Sequence, residues 1–420
     1  MSLFLRLRSK AYSLNALKIS SIFDFLNARP IYYKKIDYER FPAAFEAVRS
    51  ALPLKNIIQI IGTNGKGSTG RFLSRIIMSA NGANGRNSGP KFSVGHYTSP
   101  HIMRLNERIY RDGREISDDE LQGAHEFLQA NLPAKFRNNL SYFEYLTLAA
   151  AVHFRECDYC VFEAGMGGEF DATSSFDTKL SLFTPIGTDH IGMLGVNLEE
   201  ISRTKLNAMA QNAILSDEMN SLSVKIAREI AAQKGANLAF ASDFLNADEK
   251  REIVTYIKTH NLANFQYSNL KLAVAGAKFW GLNFKIAEIL PLDLPGRAEA
   301  IAPNITIDVG HNELAAAALA KEFAGKKFTL IYNAFADKDI KKVLKTLAPI
   351  IKNVQILPYD APGRELGGEM ITQALDELGI AHSEFMGEID ENELYLVFGS
   401  FHLVEEFLKF YNNGAKFGKN

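Results

Sequence analysis

The segment IIGTNGKGSTGRFL (60–73) combines residue types that suit phosphate binding. Two glycines flank Lys66, an apolar run precedes the loop, and apolar residues at helical spacing follow it. Backbone N–H groups of a glycine-rich turn that leads into a helix form a concave anion site, and a lysine adds a mobile positive charge. This context predicts a nucleotide site, although a lone glycine-rich loop is often only a tight turn. The loop departs from the strict P-loop pattern, because Gly67 stands where that pattern has Ser or Thr.

Polar residues follow two further strand-like runs. Glu163 closes DYCVFEAG (158–165), and His190 comes shortly after LSLFTPIG (180–187). Ligands of doubly wound sheets collect beyond the carboxyl ends of the strands, so Lys66, Glu163 and His190 are predicted to share one site. Carboxylate oxygens are ligands that Mg²⁺ prefers, which favours a metal site. Taken singly, Glu163 is equally consistent with a surface acid or helix-capping partner, and His190 with a hydrogen-bonded core histidine.

A second polar cluster occurs late in the chain. IDVGHN (307–312) places Asp308, His311 and Asn312 between a strand-like run and the alanine-rich segment ELAAAALAKEF. The simpler interpretation is that Asn312 caps the following helix. Two such clusters on two domains predict a ligand cleft between them.

The elements that must position these residues form an α/β pattern. Short apolar runs such as KNIIQIIG alternate with longer helical patterns throughout the chain. LPLDLPGR (290–297), with two prolines close together, predicts an extended linker. Beyond it a second α/β pattern begins, with the strand-like runs ITIDVGHN, FTLIYNAF, NVQILPY and LYLVFGSF.

Composition limits the class of protein. The 420 residues are 47% hydrophobic and 23% charged, with a net charge of −1, as in ordinary globular proteins of two domains. The charge gives no support for nucleic acid or a membrane as the main partner. Met1–Phe23 is basic, but it lacks an apolar core followed by a small-residue cleavage site, so a cytoplasmic protein is expected. Cys157 and Cys160, the only cysteines, are expected to be structural rather than redox-active or metal-binding.

Several motifs together resemble one family. GTNGKGST, YTSPHIMRLNERI, FEAGMGGEFDATS, IGTDHIGMLG, LPGR and DVGHN occur in the order found in bacterial folylpolyglutamate synthase/dihydrofolate synthase, of the Mur ligase superfamily. The match covers roughly residues 30–410. It implies an α/β fold with a P-loop-containing ATP-binding domain like the Mur ligase central domain (1–292) and a smaller Rossmann-like C-terminal domain (297–420).

The resemblance also implies which residues form the site. In the family, a hydroxyl of the SPH segment takes over part of the metal binding. A glycine at the position of Gly67 is therefore typical of these loops. The implied Mg²⁺ ligands are Ser99, Glu163 and His190. The implied ATP contacts are Asn64, Gly65, Lys66, Gly67, Ser68, Asn269, Arg297 and Asp308, and the implied pteridine contacts are Phe143, Glu144, Phe170, Asp171 and Ala172. Catalytic roles fall to Lys66, Lys205, Asp308 and His311, and a monovalent cation such as K⁺ is a further candidate cofactor.

Departures from the family pattern affect two positions. ISRTKLNAM keeps Lys205, which is carbamylated in relatives and helps to position magnesium, but loses the residues that usually follow it. Glu169 stands where a basic residue is common, which predicts an altered substrate preference. YFEYLTLAAAVHF contains Phe143 and Glu144. The simpler interpretation of this segment is a buried helix whose aromatic residues belong to the core rather than to a pteridine site.

The combined interpretation is an ATP-dependent ligase that adds L-glutamate to dihydropteroate or reduced folates through an acyl phosphate. It is expected to work as a monomer on small molecules, without nucleic acid or membrane. One alternative is a Mur-type ligase for a UDP-linked sugar peptide, for which too little chain precedes the loop to build a uridine-binding domain. The other is a nucleotide-dependent switch, against which the chain has no NKxD guanine motif.

Overall fold

The computed structural model describes residues 20–29, 37–80, 92–361, 363–413 and 416–418. Most of the basic N-terminal segment considered above lies outside these residues. The described chain forms two large sheets and one small one, with helices on both faces of the large sheets. None of the described helices has the length and apolar character needed to cross a bilayer.

Within the part of the chain that the structure describes, the first sheet has eight strands in the order β4-β3-β2-β5-β1-β6-β7-β8. The strands β2, β5, β1, β6, β7 and β8 are parallel to one another. Strands β3 and β4 extend the sheet beyond β2 as antiparallel strands. The strands are β1 (Ile57–Ile61), β2 (Val94–Tyr97), β3 (Ile109–Arg111), β4 (Arg114–Glu115), β5 (Tyr159–Glu163), β6 (Leu180–Phe183), β7 (Asn212–Leu215) and β8 (Asn237–Phe240).

Among the described residues, ten α-helices accompany this sheet. They are α1 (Ile22–Asn27), α2 (Arg40–Val48), α3 (Lys66–Ser79), α4 (Asp118–Asn131), α5 (Ala134–Arg137), α6 (Tyr142–Phe154), α7 (Leu198–Leu206), α8 (Ser221–Lys234), α9 (Ala247–Thr259) and α10 (Gln266–Phe279). Helices α3 and α10 share one core with the central strands, and α6 belongs to a core on the other side. Because β1 is buried on both faces, its sequence IIQII is almost entirely apolar.

As far as the chain is described, the second sheet has six strands in the order β13-β12-β11-β15-β10-β9, in which β9 is antiparallel to β10 and the other pairs are parallel. Its strands are β9 (Glu299–Ala302), β10 (Ile305–Asp308), β11 (Phe328–Tyr332), β12 (Ile351–Ile356), β13 (His382–Glu384) and β15 (Tyr395–Phe398), while β14 (Glu388–Asp390) pairs with β16 (Lys416–Gly418). Its helices are α11 (Glu313–Glu322), α12 (Ile340–Leu347), α13 (Gly368–Leu378) and α14 (Phe401–Asn412).

The linker between the sheets is fixed at both ends. Asp293 forms ion pairs with Arg71 and Arg75 of α3, at 2.8 and 2.5 Å. Three residues further on, the Gly296 carbonyl accepts a hydrogen bond from the Val309 amide at 3.1 Å, beside β10. The linker is therefore anchored to the first side of the molecule through Asp293 and to the second side through Gly296.

The α/β class predicted from the sequence is confirmed, and each strand-like run named above contains or overlaps a strand of one of the two sheets. YFEYLTLAAAVHF forms α6, and Glu144–Val152 are buried within it. The simpler interpretation of that segment as a buried helix therefore holds for most of α6.

Candidate active site

A cavity of about 280 Å³ lies between the two sheets. Strands β1, β5 and β6 are neighbours in the first sheet, so the segments that follow them open into the same space. Every residue predicted to act in catalysis, nucleotide binding or metal binding lines this cavity: Asn64, Gly65, Lys66, Gly67, Ser68, Ser99, Glu163, His190, Lys205, Asn269, Arg297, Asp308 and His311.

The glycine-rich loop connects β1 to the N-terminus of α3. Gly65 caps the helix with a left-handed φ of 86°, a conformation that favours glycine. A Cβ at Gly65 would lie 2.2 Å from the Asn269 side-chain oxygen, so that amide also requires glycine here. Lys66 Nζ lies 3.3 Å from the Thr63 carbonyl oxygen and 3.6 Å from Glu163 Oε1. The loop thus presents its ammonium group beside the carboxylate that ends the adjacent strand.

Two hydroxyl groups lie buried at the start of α3. Ser68 Oγ and Thr69 Oγ1 find no hydrogen-bond partner within the described part of the chain. A buried hydroxyl without a partner is costly, and a bound anion or hydrated cation beside the loop would satisfy Ser68. This observation fits a nucleotide phosphate at the helix N-terminus.

The three residues implied as metal ligands lie around the same cavity. The carboxylate of Glu163 is buried, and its Oε2 accepts a hydrogen bond from the Ser99 amide at 3.2 Å. Desolvation lowers the pKa of His190 to about 3, so its ring is neutral at physiological pH, the form that binds metals. A carboxylate, a hydroxyl and a neutral imidazole together fit a small divalent cation.

Lys205 reaches the loop from α7. Its Nζ donates to the Gly62 carbonyl at 2.9 Å, and the residue is only 3% exposed. Burial, reinforced by the charge of Lys66, lowers the pKa of Lys205 to about 7. A substantial fraction of its amine is therefore neutral near pH 7, the form that reacts with carbon dioxide.

A group of polar residues joins the two sides of the cavity, and we call it the cross-cavity cluster. It consists of Asn64 and Asp189 from the first side, and His311, Asn312 and Lys338 from the second. Asp189 lies 2.6 Å from Lys338 Nζ, 3.2 Å from His311 Nε2 and 3.2 Å from Asn312 Nδ2. The side-chain amides of Asn64 and Asn312 form two hydrogen bonds of 2.8 and 3.0 Å.

Positive charges in the cross-cavity cluster stabilise the ionised form of Asp189. Burial alone would raise the pKa of Asp189, but the hydrogen bond from His311 and the positive charges around it, including Lys338, hold that pKa well below its usual range. Asn312 also accepts a hydrogen bond from the Ala315 amide at 3.0 Å. It therefore caps α11, as the simpler interpretation predicted, and contacts Asn64 of the glycine-rich loop as well.

Arg297 and Asp308 complete the wall formed by the second side. Asp308 accepts hydrogen bonds from the amides of Ala298 and Gly310, at 2.8 and 2.7 Å. Burial raises the pKa of Asp308, and these hydrogen bonds together with Arg297 oppose the rise. The Arg297 guanidinium lies 5.2 Å from the centre of the Phe401 ring and faces the cavity.

The five residues implied as pteridine contacts are not among those that line this cavity. Phe143 packs directly behind the wall, because a Cβ at Gly165 would lie 2.6 Å from its ring. Phe170 is 51% exposed and packs against Tyr38, with ring centres 4.2 Å apart and ring planes tilted by 38°. Ala172 is buried.

The carboxylates of this group already have partners. Glu144 accepts a hydrogen bond from the Ser141 amide at 2.7 Å and pairs with Arg40 at 2.8 Å. Asp171 accepts hydrogen bonds from the amides of Gly165 and Met166, at 2.9 and 3.2 Å. Their contact with a pteridine stays a prediction, as does the effect of Glu169, whose carboxylate accepts a hydrogen bond from Asn207.

Sequence reasoning did not assign roles to Asp189, Lys338 or Thr98, which the structure places at the cavity or directly behind it. Asp189 precedes His190 in the chain, so its position after β6 was a usable signal. Lys338 lies in the loop between β11 and α12, and its partner Asp189 is 149 residues away. No local pattern indicates such a pair.

Comparisons with known proteins agree with this geometry. The crystal structure of Helicobacter pylori folylpolyglutamate synthetase is 36% identical, with a TM-score of 0.74 over 94% of this chain and 98% of that chain. A dihydrofolate synthase/folylpolyglutamate synthase of Haemophilus influenzae is 26% identical over 90% of this chain and 94% of its own. A bifunctional folylpolyglutamate synthase/dihydrofolate synthase with Mn, AMPPNP and L-glutamate bound is 24% identical, with a TM-score of 0.74 over 93% of this chain and 97% of that chain. The scan against protein-family models returned no match.

The first of these similarities extends over nearly the whole of both chains, at an identity well above that which the fold alone would require. It confirms the resemblance carried by the loop, the TSPH segment and the two strand-end clusters. The chain therefore belongs to the folylpolyglutamate synthase/dihydrofolate synthase family.

Proposed function

We propose that this protein is an ATP-dependent carboxylate–amine ligase that adds L-glutamate to dihydropteroate, to reduced folates, or to both. One observation carries the proposal: the residues predicted for phosphate, metal and catalysis come from two sheets and line one cavity. Membership of the family excludes the two alternatives, a Mur-type ligase for a sugar peptide and a nucleotide-dependent switch.

The proposed reaction has two steps. A carboxylate oxygen of the pteroate or folate attacks the γ-phosphorus of ATP, the bond to the bridging oxygen breaks, and ADP leaves. The amine of L-glutamate then attacks the acyl carbon of the acyl phosphate, phosphate leaves, and the nitrogen loses a proton to give the amide. Lys66 and the loop amides neutralise charge on the transferring phosphoryl group, and Arg297 adds a positive charge from the opposite wall.

Ser99, Glu163 and His190 would hold Mg²⁺ beside the phosphates. A divalent cation there supplies charge neutralisation on the phosphate oxygens. A solved relative binds Mn, AMPPNP and L-glutamate, which supports a divalent metal, ATP and glutamate as ligands here. We further propose that Lys205 is carbamylated, because its neutral amine lies beside the loop.

The pteridine is proposed to bind near Phe143 and Phe170. Phe143 offers an aromatic face directly behind the cavity wall, and the exposed Phe170–Tyr38 pair offers a second. Another solved relative binds DHPP and ADP, which supports dihydrofolate synthase activity in this chain.

We propose that residues 1–292 and 297–420 act as two domains that close on their ligands. The ion pairs of Asp293 and the hydrogen bond of Gly296 leave only Leu294 and Pro295 between the two anchored ends, so the hinge is shorter than LPLDLPGR as a whole. We further propose that the protein acts as a monomer. Two buried free cysteines support the reducing cytoplasm as its location.

The test uses the purified protein with ATP, Mg²⁺ and L-glutamate, and either dihydropteroate or tetrahydrofolate as acceptor. We expect phosphate release that depends on both glutamate and acceptor, and products heavier by one glutamyl unit in mass spectrometry. A matched reaction with D-glutamate controls for nonspecific ATP hydrolysis. Phosphate release without any glutamylated product from either acceptor would contradict the proposed function.

A further inference from the structure

Gly67 is surrounded by groups from three other segments. A Cβ at this position would lie 3.0 Å from Thr98 Oγ1, 3.1 Å from Leu294 Cδ2 and 3.3 Å from Glu163 Oε2. All three distances are tighter than ordinary van der Waals contact, so a side chain at position 67 would push the Thr98 hydroxyl, and its neighbours Leu294 and Glu163, by a few tenths of an ångström. Position 67 is where the strict P-loop pattern has its own hydroxyl.

The Thr98 hydroxyl makes a specific contact. Thr98 is buried at the end of β2, and its backbone amide donates to the Arg108 carbonyl at 2.9 Å. Its Oγ1 donates to Oε2 of Glu163, the same oxygen that accepts the Ser99 amide. With Oε2 occupied twice, the other oxygen of Glu163 is left facing Lys66 at 3.6 Å.

We propose that Thr98 is a positioning residue that orients the Glu163 carboxylate toward metal and phosphate, and that Gly67 is required because it leaves room for this hydroxyl. The loop lacks the hydroxyl of the strict pattern, and Thr98, directly after β2, supplies one to Glu163 of the adjacent strand β5. Thr98 acts through Glu163, whereas Ser99 is the implied metal ligand. This inference rests on the proposed function, because it concerns the same nucleotide and metal site.

The first experiment separates the hydroxyl from the bulk of Thr98. Thr98→Val keeps the shape and removes the donor, and Thr98→Ser keeps the donor. Binding of Mn²⁺ in the presence of AMPPNP is followed by the electron paramagnetic resonance signal of free Mn²⁺, and thermal unfolding of the ligand-free variants reports their folding. We expect about tenfold weaker Mn²⁺ binding for Thr98→Val, as for loss of a hydrogen bond to a charged group, and a change within about twofold for Thr98→Ser. Thr329→Val, at a buried threonine of β11, is the matched control and is expected to bind Mn²⁺ normally.

The second experiment tests the steric half of the proposal. Gly67→Ala is expected to weaken Mn²⁺ binding by pushing the Thr98 hydroxyl from Glu163, even though every donor and acceptor is still present. If the two positions act on one contact, Gly67→Ala combined with Thr98→Val should weaken binding little more than either change alone. If Thr98→Val does not fold, Gly67→Ala alone decides the question, because unchanged Mn²⁺ binding by that folded variant would overturn the proposal.

The outcomes are distinct. Normal Mn²⁺ binding by folded Thr98→Val, equal losses in the valine and serine variants, or fully additive losses in the double variant would each overturn the role of Thr98. Failure of the wild-type protein to bind Mn²⁺ with AMPPNP would instead overturn the proposed function.

Discussion

Replacing Lys338 with methionine tests whether the cross-cavity cluster holds the two sides of the cavity together before ligands bind. Methionine has nearly the same length as lysine but carries no charge. The side chains of Lys338 and Asp189 are each only 7% exposed, so solvent screens their 2.6 Å contact very little. The variant leaves the Asp189 carboxylate buried without its strongest partner.

The size of the effect follows from that burial. Removing one partner of a buried ion pair costs roughly 3–5 kcal/mol, because the remaining charge stays desolvated. His311 and Asn312 still donate to Asp189, so we expect the lower end, about 3 kcal/mol. If this cost falls on the closed arrangement alone, the ratio of open to closed molecules rises roughly 100-fold.

The assay is single-molecule energy transfer in the ligand-free protein. Dyes are attached to cysteines introduced at the exposed positions Lys225 of α8 and Glu369 of α13, and the native cysteines are buried and react poorly. Lys341→Met is the matched control, because the Lys341 side chain is 60% exposed and its ion pair contributes little. We expect a new population of changed transfer efficiency for Lys338→Met only.

Identical distributions for Lys338→Met, Lys341→Met and wild type would refute the reasoning. A further check is the double variant in which Asp189→Asn accompanies Lys338→Met. Since the buried charge is then removed with its partner, the double variant should open less than the sum of the single variants predicts.

Four further predictions concern the site itself. Lys66→Ala should abolish glutamate incorporation while thermal unfolding stays close to wild type, and near-normal incorporation by this variant would exclude Lys66 from phosphoryl transfer. Glu163→Gln and His190→Ala should each raise the Mg²⁺ concentration for half-maximal rate at least fivefold, and unchanged metal titrations for both would exclude the proposed metal site. Phe143→Ala should impair glutamylation of dihydropteroate more than that of tetrahydrofolate, whereas equal losses would indicate only a packing role. Burial lowers the pKa of the unmodified Lys205 amine to about 7, so in buffer free of carbon dioxide the folded protein binds fewer protons than the unfolded chain above that pH, and stability should rise with pH from about 7 to about 10. Lys205→Met should flatten this rise in denaturant titrations, and labelling with ¹³C-bicarbonate should give a carbamate resonance in wild type only.

Much of the fold could be predicted from short segments. KNIIQIIG predicts a buried strand because a parallel strand covered on both faces must be apolar along its length, and β1 is such a strand. The glycine-rich loop predicts a helix N-terminus suited to phosphate, since Gly65 alone accommodates the left-handed turn beside Asn269. The strand-end positions of Glu163 and His190 predicted their shared cavity, because parallel strands end at the same edge of a sheet.

Other features depend on which segments the tertiary structure brings together. Thr98 and Glu163 are 65 residues apart, and their contact exists because β2 and β5 are neighbours in the sheet. Asp189 and Lys338 are 149 residues apart and meet only where the two sheets dock. Hydrophobic periodicity, glycine turns and helix caps act over a few residues, so the sequence by itself determined the elements, the loop and the strand-end clusters. Strand order and docking are collective results of burying several apolar faces at once, and they alone decided that Thr98 orients toward Glu163 and that Lys338 neutralises Asp189.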